Sequence, residues 1–332
     1  MEFVIGMAIV VVAGLFNGAF AIPLRYNRRW RWENTWLVFS VWSLCIFPTL
    51  LMLLIVRRPG ELLTSLTFRD ILPALVFGFI WGIGQATFGV SVKLLGVSVT
   101  LPIVASMCVV LGAFIPLVVR HREALAGRVG VILCLSAGLF VLGLLLYAWA
   151  AQMRDRTSPT STFATGLILA ILTGTVGGMS NVGFALSEGI IRRSELLGNS
   201  ARASTYPVWA ILLAAGFLPN LAYCAYLIRN NRTGGLFLAP GYSSEFLRSL
   251  TMAVAWILAI TLYGLSTTYM GRFGTSTGWL LYGCFTVLSA SVLGWKVGEW
   301  ANAPPRVLGI FWAGMGFVLA SVGVLGLAGS AI

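Results

Sequence analysis

Ten stretches of about twenty apolar residues, joined by short connections, govern what this chain can become. They run over about 3–24, 35–56, 71–92, 97–118, 129–150, 164–186, 206–228, 249–270, 276–297 and 307–329. A helix of about 20 residues crosses a hydrocarbon core of about 30 Å, whereas a membrane strand needs only about 10. In lipid the backbone must satisfy its own hydrogen bonds, and a helix does so within one segment. The expectation is an all-α integral membrane protein with ten transmembrane helices. Composition agrees, with 10% charged residues against 58% hydrophobic, where a soluble domain carries roughly 25% charged. Glu2 occupies the place of a basic n-region, so the first run reads as a membrane helix rather than a secretory signal.

The sequence repeats itself. At an offset of 175, Trp81 meets Trp256, Phe88 meets Tyr263, Gly89 meets Gly264, Ser91 meets Ser266, Gly96 meets Gly271 and Thr100 meets Thr275. "NGAFA" at 17–21 returns as "NVGFA" at 181–185, and a "VW" followed by a proline marks both the second and the seventh run. Three colinear pairings point to two copies of five helices, residues 1–155 and 156–332. Because five is odd, the second copy enters from the opposite side, so the repeat is inverted. Carriers use that plan to exchange outward and inward openings around one midplane site.

Small residues recur every fourth position, as in Gly78, Gly82 and Ala86, or Gly166, Ala170, Gly174 and Gly178. Four apart is one helix face, and such stripes let membrane helices approach closely. Gln85 is a primary amide within a span, where unpaired donors and acceptors cost several kcal/mol. It must face a helix or a wet cavity. Its counterpart is Ile260, and this asymmetry favours a functional role over an interhelical bond. Asn17 and Asn181 are equivalent in the two copies and suit either a structural pair or a central site. Trp81 and Trp256 lie inside spans, unlike Trp30, Trp32, Trp36 and Trp300, which read as interface anchors. A mid-membrane indole either packs or stacks on the apolar face of a sugar. Tyr263, Trp279, Tyr282 and Ser289 are further candidates for such a pocket, which would be largely apolar with a few placed polar groups.

None of the ten acids lies at the centre of a run. Glu33, Glu188 and Glu299 stand at run ends and are the proton-coupling candidates. The competing reading is a surface ion pair, Glu33 with nearby arginines and Glu299 with Lys296. Asp70 reads as a helix N-cap. The net charge of +12 comes mostly from arginines in loops, which suit topology and anionic head groups rather than nucleic acid. They divide almost evenly between the two sides. The cluster "RYNRRWRWEN" (25–34) favours a cytoplasmic first loop, with both termini outward. The five cysteines lie inside apolar runs without CxxC spacing, so no metal or disulfide framework is expected. GxSxG, HExxH and P-loop patterns are missing, and neither enzyme chemistry nor a cofactor is expected.

"FGFIWGIGQATFGVSVKLLGVSV" from Phe77, "GWLLYGCFTVLSASVLGWKVGEWANAPPR" (278–306) and "FAIPLRYNRRWRWENTW" (20–36) together resemble the L-rhamnose–proton symporter family, within the drug/metabolite transporter superfamily. The resemblance implies a ten-helix inner-membrane carrier that imports a sugar, typically rhamnose, with protons. On that reading Gln85, Asn17, Trp81, Asn181 and Tyr282 line the site. The rivals are a metabolite or drug exporter of the same superfamily, and a non-transporting membrane sensor or assembly subunit.

Overall fold

The computed structural model describes residues 1–95, 97–155 and 163–327. Among these the regular structure is helical throughout. The chain runs α1 (Glu2–Ala19), α2 (Trp32–Ser40), α3 (Phe47–Ile55), α4 (Pro59–Ser65), α5 (Phe68–Leu95), α6 (Val97–Arg120) and α7 (Arg128–Asp155). It continues through α8 (Phe163–Gly177), α9 (Met179–Leu186), α10 (Glu188–Leu196), α11 (Thr205–Asn231), α12 (Tyr242–Thr267), α13 (Gly274–Lys296) and α14 (Pro305–Gly326). Nine helical stretches among the described residues are long and apolar enough to span a bilayer. The count becomes ten when α4 and the start of α5, bent by 96°, are taken as one span.

Two spans are assembled from pieces for local reasons. Between α2 and α3 the backbone widens into a π turn over Val41–Ile46, immediately ahead of Pro48. Proline cannot donate to the carbonyl four residues back and its ring collides with it, so a wider turn there relieves the clash. The sixth run is interrupted at Gly178, between α8 and α9. At the start of α5 the sequence expectation shifts by one turn. Thr67, not Asp70, is the cap, and Asp70 accepts the Thr67 backbone N–H at 3.0 Å and its hydroxyl at 2.7 Å. The Asp70 backbone N–H returns a bond to the Thr67 hydroxyl at 3.4 Å, which completes the reciprocal arrangement of a capping box.

The glycine stripes are where backbones meet. A Cβ on Gly78 would lie 2.2 Å from the Leu212 carbonyl oxygen, and one on Gly82 2.3 Å from that of Gly216, so α5 and α11 touch main chain to main chain. Gly14 and Gly18 press α1 against Phe285, Thr286 and Ser289 of α13. Gly174 and Gly178 press α8 and its break against Val104, Met107 and Cys108 of α6. α7 pairs with α14 through Gly143 and Gly314, and Ser321 donates to the Ser136 carbonyl at 2.8 Å. Lipid tails are as apolar as leucine, so these contacts rest on close packing and on interhelical hydrogen bonds of about 0.6 kcal/mol each. α1 packs on α12 and α13, α8 packs on α5 and α6, and α6 meets α13 between them.

Candidate functional site

The inner helices enclose a cavity of about 320 Å³. Side chains from α1, α2, α5, α6, α8, α9, α11, α12 and α13 reach it. Much of the wall is aromatic. Trp81 and Trp256 stand side by side with ring centroids 5.9 Å apart and planes 20° apart. Trp279 and Tyr282 stack at 5.3 Å on α13. Phe20, Trp36, Phe88 and Trp209 complete the aromatic lining. The polar groups are few: Asn17, Thr173, Ser180, Tyr282 and Thr286.

Several of these polar groups are already committed. The Trp36 indole donates to Asn220 Oδ1 at 3.2 Å and the Trp279 indole to the Cys108 carbonyl at 3.2 Å, which fixes both rings. Thr286 donates to the Tyr282 carbonyl at 2.7 Å and accepts from Asn17 Nδ2 at 3.1 Å. The Asn17 side-chain oxygen has no partner among the described residues. No carboxylate or imidazole is among the described lining residues, so this chamber suits a neutral solute with an apolar face and several hydroxyls. Among the described residues no cluster of His, Cys, Asp and Glu could hold a metal ion.

The profile of the L-rhamnose-proton symport protein (RhaT) family matches residues 1–331. The chain belongs to that family. It is similar to the L-rhamnose-proton symporter of Cronobacter sakazakii, 24% identical over 322 residues, covering 93% of this chain and 92% of that one. It is also similar to the L-rhamnose-proton symporter of Yersinia pestis, 22% identical over 338 residues, covering 98% and 97%. One solved crystal structure has the same fold, with a TM-score of 0.59, 13% identity and 98% of each chain covered. As a RhaT-family member the chain is a transporter and not an enzyme, and it is a multi-pass inner-membrane protein.

Of the residues expected at the solute site of this RhaT-family chain, Asn17, Trp81, Trp279 and Tyr282 border this cavity. Gln85 belongs to α5, and its side chain lies outside the described residues. Asn181 and Tyr263 are fully buried behind the cavity. The Tyr263 hydroxyl donates to Asn181 Oδ1, while Asn181 Nδ2 donates to the Gly112 carbonyl at 2.8 Å and the Thr275 carbonyl at 3.0 Å. Tyr263 supports Trp279 and Tyr282 edge-on at 5.1 and 5.3 Å, so this knot holds the α13 face of the chamber. Ser289 is not among the lining residues; it donates to the Leu15 carbonyl at 3.0 Å and borders a separate apolar groove between α1, α13 and α14.

The three acidic candidates sit apart from one another. Glu33 is buried at the start of α2 and accepts from Asn231 and Thr233, each at 3.0 Å, rather than from an arginine. Glu299 pairs with Arg25 at 2.8 Å, not with Lys296. Glu188 pairs with Arg120. Sequence reasoning missed Trp36 and Thr286. Trp36 sits near a run end like an interface anchor, yet its ring turns inward. Thr286 follows Tyr282 by four residues, the same helix face, and that spacing was the available signal.

Proposed function

We propose that the chain imports L-rhamnose or a related deoxyhexose together with protons, by alternating access between two inverted five-helix repeats, residues 1–155 and 156–332. Membership of the RhaT family and its relatives among the L-rhamnose-proton symporters support the solute and the proton. The observation that carries the reading is the chamber itself, of ordinary size for a small-molecule site. Its aromatic faces and its handful of hydroxyl and amide groups come from both halves of the sequence.

The exchange of partners supports the repeat. α1 lies on α12 and α13 of the second half, and α8 and α9 lie on α5 and α6 of the first. The equivalent tryptophans Trp81 and Trp256 meet each other, as members of a pseudo-twofold pair near its axis would. A second cavity, of about 560 Å³, shares Leu101 with the chamber and is bordered by Arg25, Arg154 and Glu299 at the end of α1. The basic first loop assigns that face to the cytoplasm.

Labelled rhamnose uptake by vesicles, with and without an imposed pH gradient, tests the reading. Accumulation that follows an inward proton gradient is expected. Uptake indifferent to the gradient removes proton coupling, and failure to take up any deoxyhexose removes the solute.

A further inference from the structure

Among the described residues three ion pairs tie the first half of the sequence to the second; Arg193–Asp70, at 3.5 Å, lies beside Glu188, and the other two sit at opposite ends of the bundle. Arg25, just beyond α1, meets Glu299, just beyond α13, at 2.8 Å. Arg120, at the end of α6, meets Glu188, at the break that follows α9. Successive spans reverse direction, so the ends of the first and fourth runs lie on opposite membrane faces. Arg25 and Glu299 both border one surface cavity, and Glu188 borders another. That at Glu299 is about 560 Å³, and that at Glu188 is about 620 Å³.

The offsets that relate the two copies also relate these pairs. Arg25 plus 164 is 189, beside Glu188. Glu299 minus 175 is 124, one turn from Arg120. The two pairs therefore occupy corresponding places with their charges exchanged. Below each pair the same helices are in glycine contact: Gly14 and Gly18 of α1 with α13, and Gly174 and Gly178 with α6. Arg25 follows Gly18 by seven residues and Glu188 follows Gly178 by ten. At 1.5 Å per helical residue each ion pair stands roughly 10–15 Å beyond its contact. A tilt of about 15° around such a contact moves the charges by about 3–4 Å, enough to part a hydrogen-bonded pair. The Arg25 and Glu299 side chains are 45% and 44% exposed, and Glu188 is 69% exposed against a more buried Arg120 at 23%, so each pair keeps at least one partner open and can break in each cycle.

We propose that Arg25–Glu299 and Arg120–Glu188 are alternating latches, each parting when the chamber opens to its own face and closing when it opens to the other. They are positioning residues and do not touch the solute. The inference rests on the alternating-access reading above but not on the identity of the solute.

Cys108 lines the chamber and reports its accessibility. The experiment uses the full chain with Cys45, Cys134, Cys224 and Cys284 replaced by alanine, in right-side-out and inside-out vesicles, labelled with a membrane-impermeant maleimide. Glu299→Gln should raise Cys108 labelling from the face of the first loop, and lower it from the other, by about threefold, the scale of one weak ion pair. Arg120→Ala should do the reverse. The exchanged variant Arg25→Glu with Glu299→Arg should restore the parent pattern. Opposed changes uphold the latches, even in a protein that carries no deoxyhexose. Changes in the same direction from both variants, or unchanged labelling in variants that reach the membrane at parental levels, overturn them.

Discussion

Trp81 of α5 and Trp256 of α12, 175 residues apart in the sequence, stack with ring centroids 5.9 Å apart. Both border the chamber, so each presents an apolar surface there while steadying the other. An aromatic pair contributes about 0.5–1.5 kcal/mol beyond its buried area. Trp81→Ala is expected to raise the half-saturation concentration for solute about two- to tenfold, and Trp81→Phe is expected to recover most of it. Uptake kinetics over a range of rhamnose concentrations check this.

Asn17 and Thr286 act as a unit, because the hydroxyl that accepts from Asn17 Nδ2 also donates to the Tyr282 carbonyl. Asn17→Ala and Thr286→Ala should each weaken transport about tenfold, and the double variant should be scarcely worse than either single one, as expected for residues in one hydrogen-bonded chain. Additive losses in the cycle would mean that the two residues serve the solute separately.

Asn181 and Tyr263 should fail differently. Their hydrogen bonds close on protein carbonyls rather than on the chamber. Removing Asn181 leaves the buried Gly112 carbonyl without this donor and the Tyr263 hydroxyl with only the Thr275 carbonyl to donate to, at a cost of about 1–3 kcal/mol. Asn181→Ala is expected to lower the melting temperature in detergent by several degrees. Tyr263→Phe should do so by less. A variant with parental stability but no uptake would instead place Asn181 at the solute.

Gly82→Leu should abolish the folded protein. Even a methyl group there would meet the Gly216 carbonyl oxygen at 2.3 Å, and neither backbone can yield without parting α5 from α11. Gly309 has open space around its missing Cβ, so Gly309→Ala should leave yield and melting temperature within error. Size-exclusion profiles of the two variants, measured side by side, separate close packing from a general effect of losing glycine.

Gln85→Ala is expected to reduce rhamnose uptake with little change in yield. Unchanged uptake would make the amide an interhelical bond.

Much of this architecture was legible because lipid is a severe solvent. It leaves few ways to place about twenty apolar residues, and the runs at 129–150 and 307–329 became α7 and α14 directly. Asn17 and Trp81 were legible as well, since a polar or bulky aromatic group in mid-span needs a reason. Trp36 was not, because a tryptophan near a run end looks the same whether it points to head groups or inward. Glu299 lies a few residues from Lys296 in the chain, yet its partner is Arg25, 274 residues away. Chain proximity carries no information about which helix ends share a face. Ser289 shows the opposite failure, because a shared face of α13 with Tyr282 was not enough to bring it to the chamber rather than to Leu15.

The way α1 is held has a consequence for biogenesis. Its neighbours are α12 and α13, which leave the ribosome more than 220 residues after it. At about 5–20 residues per second that interval lasts roughly ten to forty-five seconds. Throughout it the first segment stays in the bilayer on its own apolarity, with the amide of Asn17 waiting for a hydroxyl that has not yet been synthesised.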